Sequence, residues 1–205
     1  MTKIKICGIT RLDEIKMLPK NQVDYVGMVV FFPKSKRNNT MENANILLGE
    51  LKKLPVKTVA VTVSPTVNQV REIQEAGFDY IQIHGTLEKE AFDEIKLPIL
   101  RAFNVTDLEK YEVYRNCPKV YGYLFDAAIP GSGKIFDWSL LDNVPRDEKL
   151  FILAGGLNSE NVCEAIKRLK PDAVDVSSGV EGENGKDADK IKAFVNSVNK
   201  AGKEM

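Results

Sequence analysis

The chain has 205 residues with 29 Lys plus Arg against 29 Asp plus Glu and a single histidine, a balance that provides no global field to recruit nucleic acid or an anionic membrane. The opening residues lack an apolar leader-like run and no later stretch approaches the length of a membrane span, so a soluble cytoplasmic protein is expected. Three widely spaced cysteines, Cys7, Cys117 and Cys163, form neither a disulfide framework nor a paired zinc-ligand motif, and neither metal nor cofactor is expected.

In chain order, apolar β-type runs alternate with helical patterns eight times. The expected strands are Lys3 to Ile9, Asp24 to Val30, Lys57 to Val63, Tyr80 to His84, Pro98 to Phe103, Val120 to Asp126, Leu150 to Gly155 and Ala173 to Ser177. Helix-compatible stretches between them are Arg11 to Lys20, Met41 to Lys53, Val67 to Ala76, Leu87 to Ile95, Ser159 to Leu169 and Asp187 to Asn199. The stretch Asp107 to Arg115 is a weaker helix, and Pro145 shortens the one after the sixth strand. Such alternation implies parallel strands joined by right-handed crossovers. Eight units in a chain of this length imply one α/β domain over residues 1–205, a closed (β/α)8 TIM barrel. An open doubly wound sheet is the alternative.

In a barrel of this kind the C-terminal ends of the strands carry the chemistry. The first strand runs into Cys7-Gly8, which puts a potential nucleophile or base on display. With His84 the only imidazole, proton transfer has to lean on cysteine and carboxylates. Ser35 and Arg37 follow the second strand, His84 ends the fourth and Asp126 the sixth. Gly155 and Gly156 follow the seventh, and Ser178 and Gly179 the eighth. Paired glycine loops at those two places suit a phosphate, because free N–H groups and a helix N-terminus favour an anion and no Cβ obstructs its approach. Gly131-Ser132-Gly133-Lys134 is not a P-loop: Ala128 and Ile135 stand where glycine and Ser/Thr are required. Each residue also has a plainer reading. Cys7 fits a core thiol, Asp126 a satisfied strand-end carboxylate, Arg37 a solvated basic turn, and His84 a hydrogen-bonded wall residue.

Six motifs taken together resemble one family. Lys5-Ile6-Cys7-Gly8-Ile9-Thr10, Ser35-Lys36-Arg37, Gln82-Ile83-His84-Gly85, Gly131-Ser132-Gly133-Lys134 with Phe136-Asp137-Trp138, Leu153 to Leu157 and Asp175 to Glu181 look, in register, like phosphoribosylanthranilate isomerase. That resemblance implies a cofactor-free barrel enzyme of tryptophan biosynthesis, converting N-(5-phosphoribosyl)anthranilate to 1-(2-carboxyphenylamino)-1-deoxyribulose 5-phosphate by an Amadori rearrangement. It implies that Asp126 is the general acid that opens the furanose ring and that Cys7 is the base that takes the proton from sugar C2. Arg37 would pair with the anthranilate carboxylate in bidentate geometry. His84, Gly155, Gly156, Ser178 and Gly179 would complete the substrate site. A small phosphorylated molecule is then the expected partner of a monomer or homodimer.

The implied chemistry makes two electrostatic demands. A free thiol is only about 3% ionised at pH 7, so Cys7 is expected to have its pKa lowered, with Arg37 as the source. Asp126 must hold a proton, which burial or a neighbouring anion would favour. The loop after Asp126, with Gly131 and Gly133, is expected to close over the sugar and bring Lys134 near that carboxyl. A histidine-pathway sugar-phosphate isomerase would carry an aspartate where Cys7 stands. An indole-glycerol-phosphate synthase would need strand lysines and glutamates, and a non-catalytic phosphate-ligand binder would keep the same barrel.

Overall fold

The computed structural model describes residues 1–105, 111–127 and 136–203. Eight strands, β1 (Lys3–Cys7), β2 (Tyr25–Val30), β3 (Lys57–Val63), β4 (Tyr80–His84), β5 (Ile99–Asn104), β6 (Val120–Asp126), β7 (Leu150–Leu153) and β8 (Ala173–Val176), follow one another around a sheet. Each pairs in parallel with the next. Lys3 to Ile6 of β1 then pair with Ala173 to Val176 of β8, so the sheet closes on itself. The closed barrel expected from the alternation is present, and the open sheet is excluded.

Strand parity decides what faces where. Ile4 and Ile6 of β1, with Val174 and Val176 of β8, join the core between barrel and helices. Cys7, Val59, Leu100, Leu124 and Ile152 pack together inside the barrel.

Outside lie α1 (Leu12–Lys16), α2 (Met41–Leu51), α3 (Val67–Ala76), α4 (Lys89–Glu94), α5 (Tyr111–Arg115), α6 (Val162–Leu169) and α7 (Ala188–Lys203). The Thr66 hydroxyl accepts from the Gln69 N–H to start α3, and Gly77, at φ 82°, ends it, so its sequence bounds match. Helix α1 is shorter than expected because Pro19 disfavours helical geometry in the residue before it. Helix α6 starts late because Asn158 and Asn161 cap each other: the Asn161 carboxamide accepts from the Asn158 N–H at 2.9 Å, and that of Asn158 accepts from the Asn161 N–H at 3.2 Å. After β6 a 3-10 turn, Trp138–Leu141, replaces a helix. Aromatic rings pack along β6, with Tyr111–Tyr123 centroids at 4.6 Å and Phe125–Phe151 at 4.9 Å. The first part of the Asp107 to Arg115 stretch, and the loop with Gly131, Gly133 and Lys134, lie outside the described residues. Among the described residues no helix is long and apolar enough to cross a membrane.

Two glycines give opposite expectations. A Cβ on Gly49, inside α2, would meet nothing within 4 Å, whereas one on Gly122 would lie 2.7 Å from Leu150 Cβ and 2.8 Å from its carbonyl oxygen. Gly49→Ala should stabilise by about 0.5–1 kcal/mol. Gly122→Ala should destabilise by about 1–3 kcal/mol through overpacking. Urea midpoints of the two variants check both signs.

Candidate active site

The C-terminal strand ends surround a cavity of about 960 Å³ whose lining includes Cys7, Arg37, His84, Asp126, Asp175 and Ser177. A second depression, of about 1090 Å³, lies at the opposite end of the strands among Lys96, Arg115, Lys119 and Lys149. It holds none of the strand-end groups, so the first cavity is the candidate site.

Strand β1 stops at Cys7, two residues before the expected Ile9, because Gly8 turns the chain at φ 82°. The N–H groups of Gly8 and Ile9 then both donate to the Gly27 carbonyl, at 2.8 and 3.1 Å. The Cys7 carbonyl accepts from the Ser177 hydroxyl at 2.9 Å, tying the end of β1 to the end of β8. Beside Cys7 the barrel wall is a glycine for steric reasons. A Cβ on Gly27 would sit 2.8 Å from Cys7 Sγ and 3.0 Å from Lys5 Nζ. Lys5 is fully buried, and its ammonium donates to Asp175 Oδ1 at 3.0 Å.

Burial pushes the Cys7 thiol up; Lys5 pulls it down, Asp175 adds to the rise, and Lys186 pulls it down again, with the net direction upward. This corrects the expectation of a thiol lowered by Arg37. The cations that oppose the rise are Lys5 and Lys186, and burial outweighs them. For Lys5 itself burial disfavours the charge, but Asp175 and Cys7 more than compensate and raise its pKa, so it stays an ammonium.

Asp126 meets its demand. Burial raises its carboxyl to about 6, with a further push from Asp175, against a hydrogen bond from the Ala127 N–H and the charge of Lys5. Gly155 makes room for it, since a Cβ there would lie 2.7 Å from the Ala127 nitrogen and 3.2 Å from Asp126 Oδ1.

Arg37 lines the cavity but is not unengaged. Its Nε donates to Glu181 Oε1 at 2.5 Å and its Nη2 to Glu181 Oε2 at 3.0 Å. Lys36 and Lys186 reach the same carboxylate at 2.9 and 3.1 Å. Burial would raise Glu181, but Arg37, Lys36 and Lys186 together bring it down to about 2. The pairing uses the Nε side of the guanidinium fork. Nη2 thus gives one N–H to Glu181, and its second N–H together with Nη1 forms the other bidentate edge of the fork.

His84 meets the Gln82 amide at 2.9 Å. Burial, then Lys5 and Arg101, hold its pKa down to about 3, so it is neutral. Gly155 and Gly156 adopt left-handed φ values of 86° and 67°, and Ser178–Val180 forms a three-residue 3-10 turn. A Cβ on Gly179 would stand 2.0 Å from the Leu157 carbonyl oxygen, so the two loops pack directly on each other. Neither loop forms the cavity wall. Each joins it through a lining neighbour, Asp126 beside Gly155 and Ser177 before Ser178.

Four residues at the site are given no role by the sequence reading: Lys5, Asp175, Glu181 and Lys186. Parity carried a signal for two of them, since Lys5 precedes Cys7, and Asp175 precedes Ser177, by two positions and must share its face. Glu181 and Lys186 lie on a short antiparallel ribbon, Glu181–Gly182 with Gly185–Lys186, which has no such pattern.

The model of the N-(5'-phosphoribosyl)anthranilate isomerase family matches residues 4–197 of this chain. A protein of Streptococcus mutans named N-(5'-phosphoribosyl)anthranilate isomerase is 40% identical over 203 residues, spanning 98% of this chain and all of the relative. The crystal structure of the phosphoribosyl anthranilate isomerase of Thermotoga maritima superposes with a TM-score of 0.82 at 34% identity, over 98% of this chain and 100% of that one. A phosphoribosyl anthranilate isomerase solved with reduced 1-(o-carboxyphenylamino)-1-deoxyribulose 5-phosphate gives 0.79 at 33%, over 98% and 100%. With the closed barrel and a site at its C-terminal mouth, this chain belongs to the phosphoribosylanthranilate isomerase family.

Proposed function

We infer that the protein converts N-(5'-phosphoribosyl)anthranilate to 1-(2-carboxyphenylamino)-1-deoxyribulose 5-phosphate in tryptophan biosynthesis, with Asp126 as general acid and Cys7 as general base. The observation that carries this is the pairing of a buried thiol on β1 with a carboxyl raised to about 6 on β6 in the lining of one cavity. Asp126 gives its proton to the furanose ring oxygen as the bond from C1 to that oxygen breaks, and the aniline nitrogen supplies the electron pair for a C1=N Schiff base. Cys7 removes the C2 proton, and the released pair forms the C1=C2 bond of an enolamine as the C1=N π pair returns to the nitrogen; the enolamine then tautomerises to the ketone. A group within about a unit of neutrality is well matched to acid catalysis.

The substrate carries an anion at each end. The Nη1–Nη2 edge of Arg37, through Nη1 and the second N–H of Nη2, suits the anthranilate carboxylate. The phosphate suits the loops of Gly155, Gly156, Ser178 and Gly179, because the leading N–H groups of a 3-10 turn have no partner within it. Neutral His84 serves as wall.

The two groups stand in a reverse-protonation relation. With the acid at about 6 and burial pushing the thiol up, only a small fraction of the free enzyme has the acid protonated and the thiol ionised together. That product of fractions rises with pH up to about 6, is level, and falls once the thiol titrates. kcat/KM, assayed with freshly prepared substrate, should follow this shape. A continuous fall above pH 6 with no plateau would contradict it.

Cys7→Ala and Asp126→Asn should each reduce kcat by about 10²–10⁴-fold with the fold intact, the usual cost of losing a general acid or base. Full activity in Cys7→Ala would remove the base from the mechanism.

Glu181 has a folded-state pKa of about 2 against an ordinary 4.5. Its contribution to stability is therefore fully present above pH 4.5 and is lost as pH falls toward 2. Glu181→Gln should be less stable than the parent at pH 7, with the gap closing through the acid range. Denaturant midpoints measured from pH 7 to pH 3 check it, and a pH-independent gap would mean that the carboxylate's charge is not what matters.

A further inference from the structure

The mechanism sketched above uses neither charge of the Lys5–Asp175 pair, although that pair lies directly beneath the reacting groups. Lys5 and Asp175 are register partners on β1 and β8, and their side chains meet at 3.0 Å inside the barrel with relative exposures of 0% and 9%. The ammonium and the Cys7 sulphur both crowd the same point on β2, where only a glycine fits. Apolar residues of similar volume commonly replace such buried pairs without loss of stability, so stability alone gives no reason for charges here.

We propose that Lys5 is the counter-charge of the Cys7 thiolate and that Asp175 is the residue holding its ammonium beneath the sulphur. Both are positioning residues that act through Cys7: Lys5 is fully buried, and Asp175 lines the cavity beside it. The proposal rests on the assignment of Cys7 as the base and adds to it a source for the charge that the base needs.

Chemical sense favours Lys5 over the other cations around Cys7. Those are Lys186, whose ammonium is drawn to Glu181 and the Ser177 carbonyl, and Arg37, bound on its Nε side to Glu181. The acids are Asp175 and, across the mouth, Asp126; His84 is neutral. Lys5 is the cation whose ammonium, fixed on Asp175, crowds the same point on Gly27 as the sulphur. Asp175 then acts in two directions. It keeps the ammonium in place, and its negative charge favours the protonated forms of both Cys7 and Asp126. When Cys7 takes the C2 proton the thiolate charge is discharged, so the ammonium matters before the transfer, in making the thiolate available.

The test is the pH dependence of Cys7 alkylation by iodoacetamide, followed by mass spectrometry of the Cys7 peptide in the full-length protein. An opposite charge at close range moves a titration by about 1–3 pH units. The alkylation midpoint should therefore move up by that amount in Lys5→Met and move down in Asp175→Asn, whose side-chain oxygen still accepts from the ammonium. Lys5→Met leaves Asp175 unpaired and destabilises the fold; the double variant Lys5→Met/Asp175→Asn removes both charges. Compared with Asp175→Asn alone, the double variant should have a higher midpoint. Midpoint shifts of opposite sign are not expected from a purely structural role. Lys5→Met should also lower kcat by tenfold or more while inorganic phosphate affinity is unchanged. A midpoint unmoved in Lys5→Met, or equal in Asp175→Asn and the double variant, would overturn the proposal. Activity retained in Cys7→Ala would instead overturn the base assignment, whatever the midpoints do.

Discussion

An ammonium with no access to water has to be met by a carboxylate, and the pairing of Lys5 with Asp175 constrains the barrel where it closes. The two residues lie 170 positions apart in the chain and are neighbours only because β8 returns to β1. Breaking such a pair by removing one partner typically costs about 3–5 kcal/mol, while replacing both with apolar groups is often neutral. Its value is therefore in register. A slip of one residue between β1 and β8 would turn Lys5 out against the helix-facing core and bring Ile4 and Ile6 into the barrel. The same register brings Ser177 onto the Cys7 carbonyl and sets the sulphur at the cavity mouth.

Charge in that mouth is divided into two compartments. Glu181 gathers Lys36, Arg37 and Lys186 on the side of the loops after β2 and β8. Lys5 and Asp175 occupy the barrel floor, where their opposed influences reach both Cys7 and Asp126. Glu14 links the turn after β1 to the first compartment: it is 1% exposed, accepts from the Thr10 N–H at 2.7 Å and from the Lys186 N–H at 2.9 Å. The result is a guanidinium with one edge satisfied and one edge available, held rigidly on buried supports. Pre-organisation of this sort lowers the entropy lost when a carboxylate docks.

Much of the fold was legible because a parallel barrel writes strong local patterns. The strand runs from Lys57 to Val63 and from Tyr80 to His84 match their sequence bounds, and Thr66 with Gly77 marks both ends of α3. Errors fall where local chemistry competes with periodicity, at Gly8, at Pro19 and at the reciprocal Asn158–Asn161 cap. At the site, residues that end strands could be read from order alone. What could not be read was the electrostatics. Burial is a tertiary property, so a thiol expected to lie near Arg37 looked as though it should ionise easily, whereas its enclosure raises its pKa. Arg37 likewise looked free for a ligand, and its pairing with Glu181 depends on a contact 144 residues away.

The substrate's reacting carbons are expected to lie between the Cys7 sulphur and the Asp126 carboxyl, with its carboxylate and phosphate held at opposite ends. A crystal structure of this protein with reduced 1-(o-carboxyphenylamino)-1-deoxyribulose 5-phosphate bound tests this arrangement most directly. The expected result has the sugar C2 facing Cys7 Sγ, the carboxylate on the Nη1–Nη2 end of Arg37 with Glu181 still on the Nε side, and the phosphate against Gly156, Ser178 and Gly179. A ligand bound with its phosphate at Arg37, or with C2 turned away from Cys7 toward another base, would contradict it.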